Sequence, residues 1–245
     1  MIDALIFDVD GTLAETEELH RRAFNEVFRR FEIERLWPDP LHGWQWSRPL
    51  YRRLLATTGG KERIADYMRR HLAIDPAPHA TVIAELHAAK TRRYAELVEA
   101  GGLALREGIG ALIADARQAG CRLAIASTTS RNNIEALCRS CWHSDATAIF
   151  PVIAAGDEVK AKKPAPDIYR LALRRLGLDA GHCVAIEDSR NGLLAAQAAG
   201  LRCVVSPSFY SGEENVDSAD LLLQGFETIA SLAALERALI KPRVD

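Results

Sequence analysis

Short apolar runs alternate with helical periodicities along most of this chain, and the alternation is interrupted once. Ala4-Leu5-Ile6-Phe7 is an apolar run that stops at Asp8-Val9-Asp10-Gly11-Thr12, the pattern of a parallel strand buried on both faces and ending in a turn. Comparable runs lie at 122–126, 149–153, 183–186 and 202–205, with a weaker one at 220–223. Helical patterns fall between them at 108–119, 131–141, 166–176, 190–199 and 226–239, and Gly120, Gly177 and Gly200 sit where helix C-caps belong. The spacing predicts an α/β fold, a Rossmann-like parallel sheet with helices on both faces.

The interruption spans residues 15–104. Leu19, Ala23, Phe24, Val27 and Phe28 carry a helical repeat, strand-like runs are nearly absent, and Pro38, Pro40, Pro49, Pro76 and Pro78 punctuate the segment. The expectation is an inserted all-helical cap domain at 15–104, with hinges near 14–17 and 95–106. Residues 1–14 and 105–245 then form the α/β core.

Composition narrows the function classes. The 245 residues carry a net charge of −2, from 31 basic and 33 acidic side chains. That balance offers no overall attraction to nucleic acid or to an anionic membrane, and the sparse aromatic residues are not interleaved with a basic stripe. No run approaches the ~20 apolar residues of a membrane span, and no signal peptide is expected from the opening residues. Five cysteines, an odd number, three of them in or beside strand-like runs, fit buried thiols in a reducing compartment. The cytoplasm is the expected location, and a monomer the expected state. Cys138, Cys141 and His143 have metal-like spacing but lack a second pair of ligands.

In a parallel open sheet, ligands collect at the carboxyl ends of the strands. Read in order, those ends present Asp8 and Asp10, then Ser127-Thr128-Thr129, then the basic loop Lys160-Ala161-Lys162-Lys163-Pro164, then Glu187-Asp188. Converging Asp8, Asp10 and Asp188 would repel one another without a cation. A hard, oxygen-preferring ion is implied, and Mg2+ suits a site that shares its ion with phosphate and water. A basic residue and a hydroxyl would hold the remaining phosphoryl oxygens. Thr128 and Thr129 are alternatives to Ser127 for the hydroxyl, and Lys160 and Lys162 are readable as loop solvation.

The motifs resemble those of the haloacid dehalogenase superfamily. Asp8-Val9-Asp10-Gly11-Thr12-Leu13 is similar to its first motif and Ser127 at a strand end to its second. Lys163-Pro164-Ala165-Pro166-Asp167-Ile168-Tyr169 resembles the third, and Glu187-Asp188-Ser189-Arg190-Asn191-Gly192 the fourth. The resemblance implies that Asp8 is the nucleophile of a phosphatase and Asp10 its general acid and base. It implies that Ser127 and Lys163 hold the phosphoryl group. The side chains of Asp8 and Asp188 and the backbone carbonyl of Asp10 would bind Mg2+, with Glu187 supporting them through water or as a direct ligand.

The inserted segment bears on the substrate. Glu15-Thr16-Glu17-Glu18-Leu19-His20 and Thr57-Thr58-Gly59-Gly60-Lys61-Glu62-Arg63 are similar to segments of CbbY-type xylulose-1,5-bisphosphate phosphatases, in the β-phosphoglucomutase-like branch. The resemblance implies a small phosphorylated sugar as substrate. Gly59, Gly60, Lys61 and Arg63 would hold a second phosphate, Glu17 and His20 would meet sugar hydroxyls, and Thr128 would assist at the core. The plainer readings are that the glycines cap a helix, that Lys61 and Arg63 are solvated, and that His20 serves a hinge. The stretch 31–46, with Trp37, Trp44 and Trp46, departs from the usual pattern of such caps. A phosphosugar mutase and a non-catalytic binding protein on the same fold are the competing functions.

Overall fold

A computed structural model describes residues 1–101 and 103–240. The chain forms two compact units, Met1–Glu15 with Leu103–Asp245, and Thr16–Gly102.

The first unit is built on six parallel strands: β1 (Ala4–Phe7), β2 (Arg122–Ser127), β3 (Val152–Ala155), β4 (Cys183–Glu187), β5 (Arg202–Val205) and β6 (Leu221–Leu222), in the order β3-β2-β1-β4-β5-β6. Period-two alternation sorts the side chains. Leu5, Phe7, Leu123, Ile125, Val184, Ile186 and Val204 face the helices Ile109–Gln118 and Arg131–Trp142. Ala4, Ile6, Ala124, Ala126, Ala185 and Cys203 face Asp167–Leu176 and Arg190–Ala198, a surface whose many small side chains let those helices approach closely. Phe7 is flanked by Ile125 on one side and Ile186 on the other, so the carboxyl ends of β1, β2 and β4 are level.

Two predicted elements shift. The run 149–153 does not start a strand, because Ala146–Ile149 closes as a short helix and Pro151 has no N–H to give a ladder; β3 begins at Val152. The single helix expected over 226–239 is two pieces, a 3-10 turn Phe226–Ile229 and the helix Leu232–Ile240. Ser231 separates them by accepting the Ala234 N–H at 3.2 Å, while Asp115 accepts the Leu232 N–H at 2.8 Å.

The second unit, inserted between β1 and β2, is helical: Glu17–Arg30, Arg48–Leu54, Gly60–His71 and Ala80–Glu99, with two short 3-10 turns. The stretch 31–46 supplies its core. Trp37, Trp44 and Trp46 are buried, and Trp46 packs against Phe24, Phe28 and Tyr67 with ring centroids 4.8, 4.9 and 5.3 Å away. Asp39 anchors this loop, taking hydrogen bonds from Tyr67 Oη (2.5 Å) and from the N–H groups of His42 and Trp44 (both 3.0 Å). Those bonds help hold Trp44 at φ +54°, a left-handed conformation that a bulky residue rarely adopts. Asn25 pins the far end of the loop by donating to Trp46 O (3.0 Å) and accepting from Trp46 N (2.9 Å).

Candidate active site

Asp8 directly follows β1, its N–H donating to Ile186 O at 3.0 Å, which fixes it beside the end of β4. Glu187 ends β4 and Asp188 follows it. All three are buried, and among the described residues they form a group whose carboxylate oxygens lie within 4.8 Å of one another. Lys163 reaches in from the loop before helix Asp167–Leu176, with Nζ 2.7 Å from Asp8 Oδ1 and 2.6 Å from Glu187 Oε1. Tyr169, on that helix and buried, donates its hydroxyl to the same Glu187 oxygen at 2.5 Å.

Two glycines make this crowding feasible. A Cβ on Gly192 would sit 1.9 Å from Glu187 Oε2, so the first turn of helix Arg190–Ala198 can lie over the carboxylate only without a side chain. Gly11 has φ +86°, and a Cβ there would meet Asp188 Oδ2 at 2.3 Å.

The electrostatics follow from burial. Desolvation pushes the Asp8 carboxyl up to about 7 against the pull of Lys163, with Glu187 and Asp10 adding to the rise. Asp188 is raised well above the carboxylate range, first by burial and then by the charges of Asp8 and Glu187. Burial disfavours the Lys163 ammonium, but Asp8 and Glu187 outweigh it and keep the lysine charged. Ionised together, three carboxylates against one ammonium would leave excess negative charge in a desolvated place. A hard divalent cation with oxygen ligands fits that donor set and would offset that charge.

The other predicted core groups are arranged as follows. Asp10 is half-buried and its backbone bridges to Ala14; its carboxylate is not one of the three grouped above. Ser127, at the end of β2, is buried and its Oγ accepts the Thr129 N–H at 3.3 Å, which uses a lone pair and not the hydroxyl proton. Thr129 Oγ1 is engaged by Asn133 Nδ2 at 2.9 Å, and Thr128 is half-buried. Lys162, unlike Lys163, folds back on its own loop, bonding Gly156 O at 2.7 Å and Asp157 Oδ1 at 2.8 Å.

The predicted residues of the helical unit form two groups. Arg63 is not solvated: it is buried, donates to Tyr51 Oη at 2.8 Å and lies 5.1 Å from the Tyr51 ring centre. Tyr51 in turn donates to Glu17 Oε2 at 2.8 Å, so Glu17 and Arg63 are joined through one phenol. Gly59 is the N-cap of helix Gly60–His71, at φ +97°, and Lys61 is half-buried in the first turn. His20 is buried, stacks on Tyr94 with centroids 3.9 Å apart, and has Nδ1 2.6 Å from Lys90 Nζ.

Several contributors have no counterpart in the motif reading. Ser211 Oγ lies 2.8 Å from Asp188 O and 3.0 Å from Asp188 Oδ2, and Ser208 adds a hydrogen bond to the same carboxylate. Arg106 donates to Gly11 O and Ser206 O (both 2.7 Å), Ser206 Oγ (2.8 Å) and Pro207 O (3.0 Å). The available signal was a fifth strand end, since Val205 leads directly into Ser206-Pro207-Ser208-Phe209-Tyr210-Ser211. Tyr169 stood inside a recognised motif without a role.

Comparison with known proteins agrees with this geometry. Residues 2–200 match the haloacid dehalogenase-like hydrolase family. The CbbY protein of Cereibacter sphaeroides is 56% identical over 236 residues, covering 96% of this chain and 97% of the relative. A crystal structure of a CbbY mutant from Rhodobacter sphaeroides, in complex with xylulose-1,5-bisphosphate, superposes with a TM-score of 0.88 at 56% identity, covering 96% of this chain and 99% of that one. A β-phosphoglucomutase from Clostridium difficile shares the fold, with a TM-score of 0.75 at 20% identity over 98% of this chain and 97% of that one. Among the described residues no helix is long and apolar enough to cross a membrane. With its level strand ends, its clustered carboxylates and a family match over most of its length, the chain belongs to the haloacid dehalogenase-like hydrolases.

Proposed function

We propose that this haloacid dehalogenase-type phosphatase removes one phosphate from a small sugar bisphosphate, of the kind of xylulose-1,5-bisphosphate, through a phosphorylated Asp8. The observation that carries the reading is the buried cluster of Asp8, Glu187, Asp188 and Lys163 at level strand ends. Asp8 attacks phosphorus and forms an acyl phosphate, while Asp10 gives a proton to the departing sugar oxygen. Asp10 then takes a proton from the water that attacks the acyl phosphate, releasing inorganic phosphate and restoring Asp8. Lys163 and Ser127 hold phosphoryl oxygens as charge develops on them. Asp8, Asp188 and the Asp10 carbonyl would hold Mg2+, with Glu187 keeping Lys163 in place beside them. Bound there, the ion would lower the repulsion between an anionic nucleophile and an anionic phosphoryl group.

Substrate choice is assigned to the helical unit. Gly59, Gly60, Lys61 and Arg63 receive the second phosphate, Glu17 and His20 meet sugar hydroxyls, and Thr128 assists beside Ser127. The 56% identity to a protein crystallised with xylulose-1,5-bisphosphate supports this choice. The test is phosphate release from a panel of sugar mono- and bisphosphates, with wild-type protein and Asp8→Asn. Xylulose-1,5-bisphosphate should be the preferred substrate, and Asp8→Asn should lose turnover by orders of magnitude while staying folded. Substantial activity in Asp8→Asn would reject the mechanism. Interconversion of sugar phosphates without phosphate release would replace hydrolysis by a mutase reaction.

A further inference from the structure

We infer that the loop 206–211 is a positioning clamp for Asp188, with Ser211 as its contact and Arg106 as its anchor. The inference rests on the reading of Asp188 as a cation ligand and adds what holds it in place.

The geometry is continuous from anchor to carboxylate. Arg106 is 12% exposed and spends its guanidinium on backbone: Gly11 O, Ser206 O and Pro207 O, plus Ser206 Oγ. Its plane also lies over Phe226, 4.9 Å from the ring centre. Five donors in a rigid fork can join two loops in a way that a lysine cannot. One arm holds Gly11, where a Cβ would collide with Asp188 Oδ2; the other holds the start of the serine loop. From there Ser208 N–H donates to Ser211 Oγ at 2.8 Å, and the two hydroxyls lie 2.9 Å apart. Ser211 Oγ ends the chain, within hydrogen-bond distance of both Asp188 O and Asp188 Oδ2. Thr12 Oγ1 lies 3.5 Å from the other oxygen, Oδ1.

The chemical logic is that of an outer shell. Asp188 lies within 4.8 Å of Asp8 and Glu187, a spacing at which the ionised form that a cation needs is repelled by both neighbours. Neutral hydroxyl donors hold the carboxylate in the group without neutralising it, so its charge stays available to a cation. Outer-shell partners of this kind typically alter metal affinity or activity by about 10- to 100-fold.

The test compares wild type, Ser211→Ala, Ser208→Ala and Asp188→Ala. Mn2+ binding is followed by the EPR signal of the free ion, Mg2+ binding by calorimetry, and folding by circular dichroism and thermal melting. Ser211→Ala should weaken Mn2+ and Mg2+ binding about tenfold. Its kcat should return close to wild type once Mg2+ is saturating, which a merely structural loss would not permit. Ser208→Ala should shift affinity the same way by less, and it carries the test if Ser211→Ala does not fold. Unchanged ion affinity in folded Ser211→Ala, with Asp188→Ala losing binding, would overturn the clamp and leave the cation site standing. Unchanged affinity in Asp188→Ala would overturn the ligand reading itself.

Discussion

Tyr169→Phe isolates one hydroxyl in the buried cluster. The phenylalanine keeps the ring, its burial and its position 5.0 Å from Lys163 Nζ, so the change is confined to the bond donated to Glu187. Burial first, and then the Glu187 charge, hold the Tyr169 phenol well above its ordinary value, so the hydroxyl is a donor throughout the working range. Glu187 Oε1 accepts Tyr169 at 2.5 Å and Lys163 at 2.6 Å, while Oε2 accepts the Asp188 N–H at a longer 3.3 Å. Removing the phenol therefore leaves a buried carboxylate with one strong donor. A hydrogen bond to a charged group contributes about 1.5–3 kcal/mol net, and that is the expected loss of stability. Lys163 would follow its carboxylate, and a drop in kcat of about tenfold corresponds to ~1.4 kcal/mol of transition-state stabilisation. Urea denaturation gives the stability. Turnover of p-nitrophenyl phosphate, which depends on the core groups alone, gives the rate. If both midpoint and kcat match wild type, Glu187 does not need Tyr169, and the account of how Lys163 is held is wrong.

Two further outcomes follow from the helical unit. Arg63→Ala should weaken turnover of the sugar bisphosphate by about 2–3 kcal/mol in kcat/KM and scarcely change p-nitrophenyl phosphate. Equal losses on both substrates would make Arg63 purely a brace for Tyr51. For Asp39, burial favours the neutral acid, but the hydrogen bonds from Tyr67 and from the Trp44 and His42 N–H groups prevail and hold it below its ordinary value of 3.8. Its contribution to stability is therefore present above that value and lost as pH falls through the lower folded one. Asp39→Ala should destabilise the unit by about 3 kcal/mol near neutral pH and flatten the acid transition seen by tryptophan fluorescence. An acid transition as steep as in wild type would remove Asp39 from its cause.

Sequence pattern reached the sheet and the reacting groups because both obey short-range rules. Ala4–Phe7 must be buried on both faces, and the residue after a parallel strand lies at the ligand edge, so Asp8 and Glu187-Asp188 could be located without coordinates. Lys163 was separable from Lys162 only by its motif position; the physical distinction, that Lys162 is consumed by Gly156 and Asp157, is a matter of loop geometry. The Trp/Pro-rich stretch was opaque for another reason. Its three tryptophans follow no period, since a loop around Asp39 buries them, and a pattern built on periods of 2 and 3.6 has no term for that. Arg106 and the serine loop were hidden by distance, the guanidinium reaching Ser206 across 100 residues of sequence.

The burial of Arg63 changes what its charge can do. A solvated arginine would need to be ordered by substrate, with loss of side-chain entropy at the moment of binding. Here the ordering is complete beforehand: the Tyr51 ring supports the guanidinium, and Tyr51 Oη and Thr57 O fix its plane. Tyr51 also carries the link onward to Glu17, so a change in Arg63 reaches a carboxylate assigned to sugar hydroxyls. Under the proposed assignment, selectivity for a phosphate and for a hydroxyl would be a joint property of one hydrogen-bonded chain, not the sum of separate contacts. The sheet unit has a comparable chain, where Glu187 accepts from both Tyr169 and Lys163, and Lys163 reaches on to Asp8. In each unit a buried tyrosine holds charged groups in place ahead of any ligand, Tyr51 with Arg63 and Glu17 in one and Tyr169 with Glu187 in the other, and preorganisation of that kind is what electrostatic stabilisation requires.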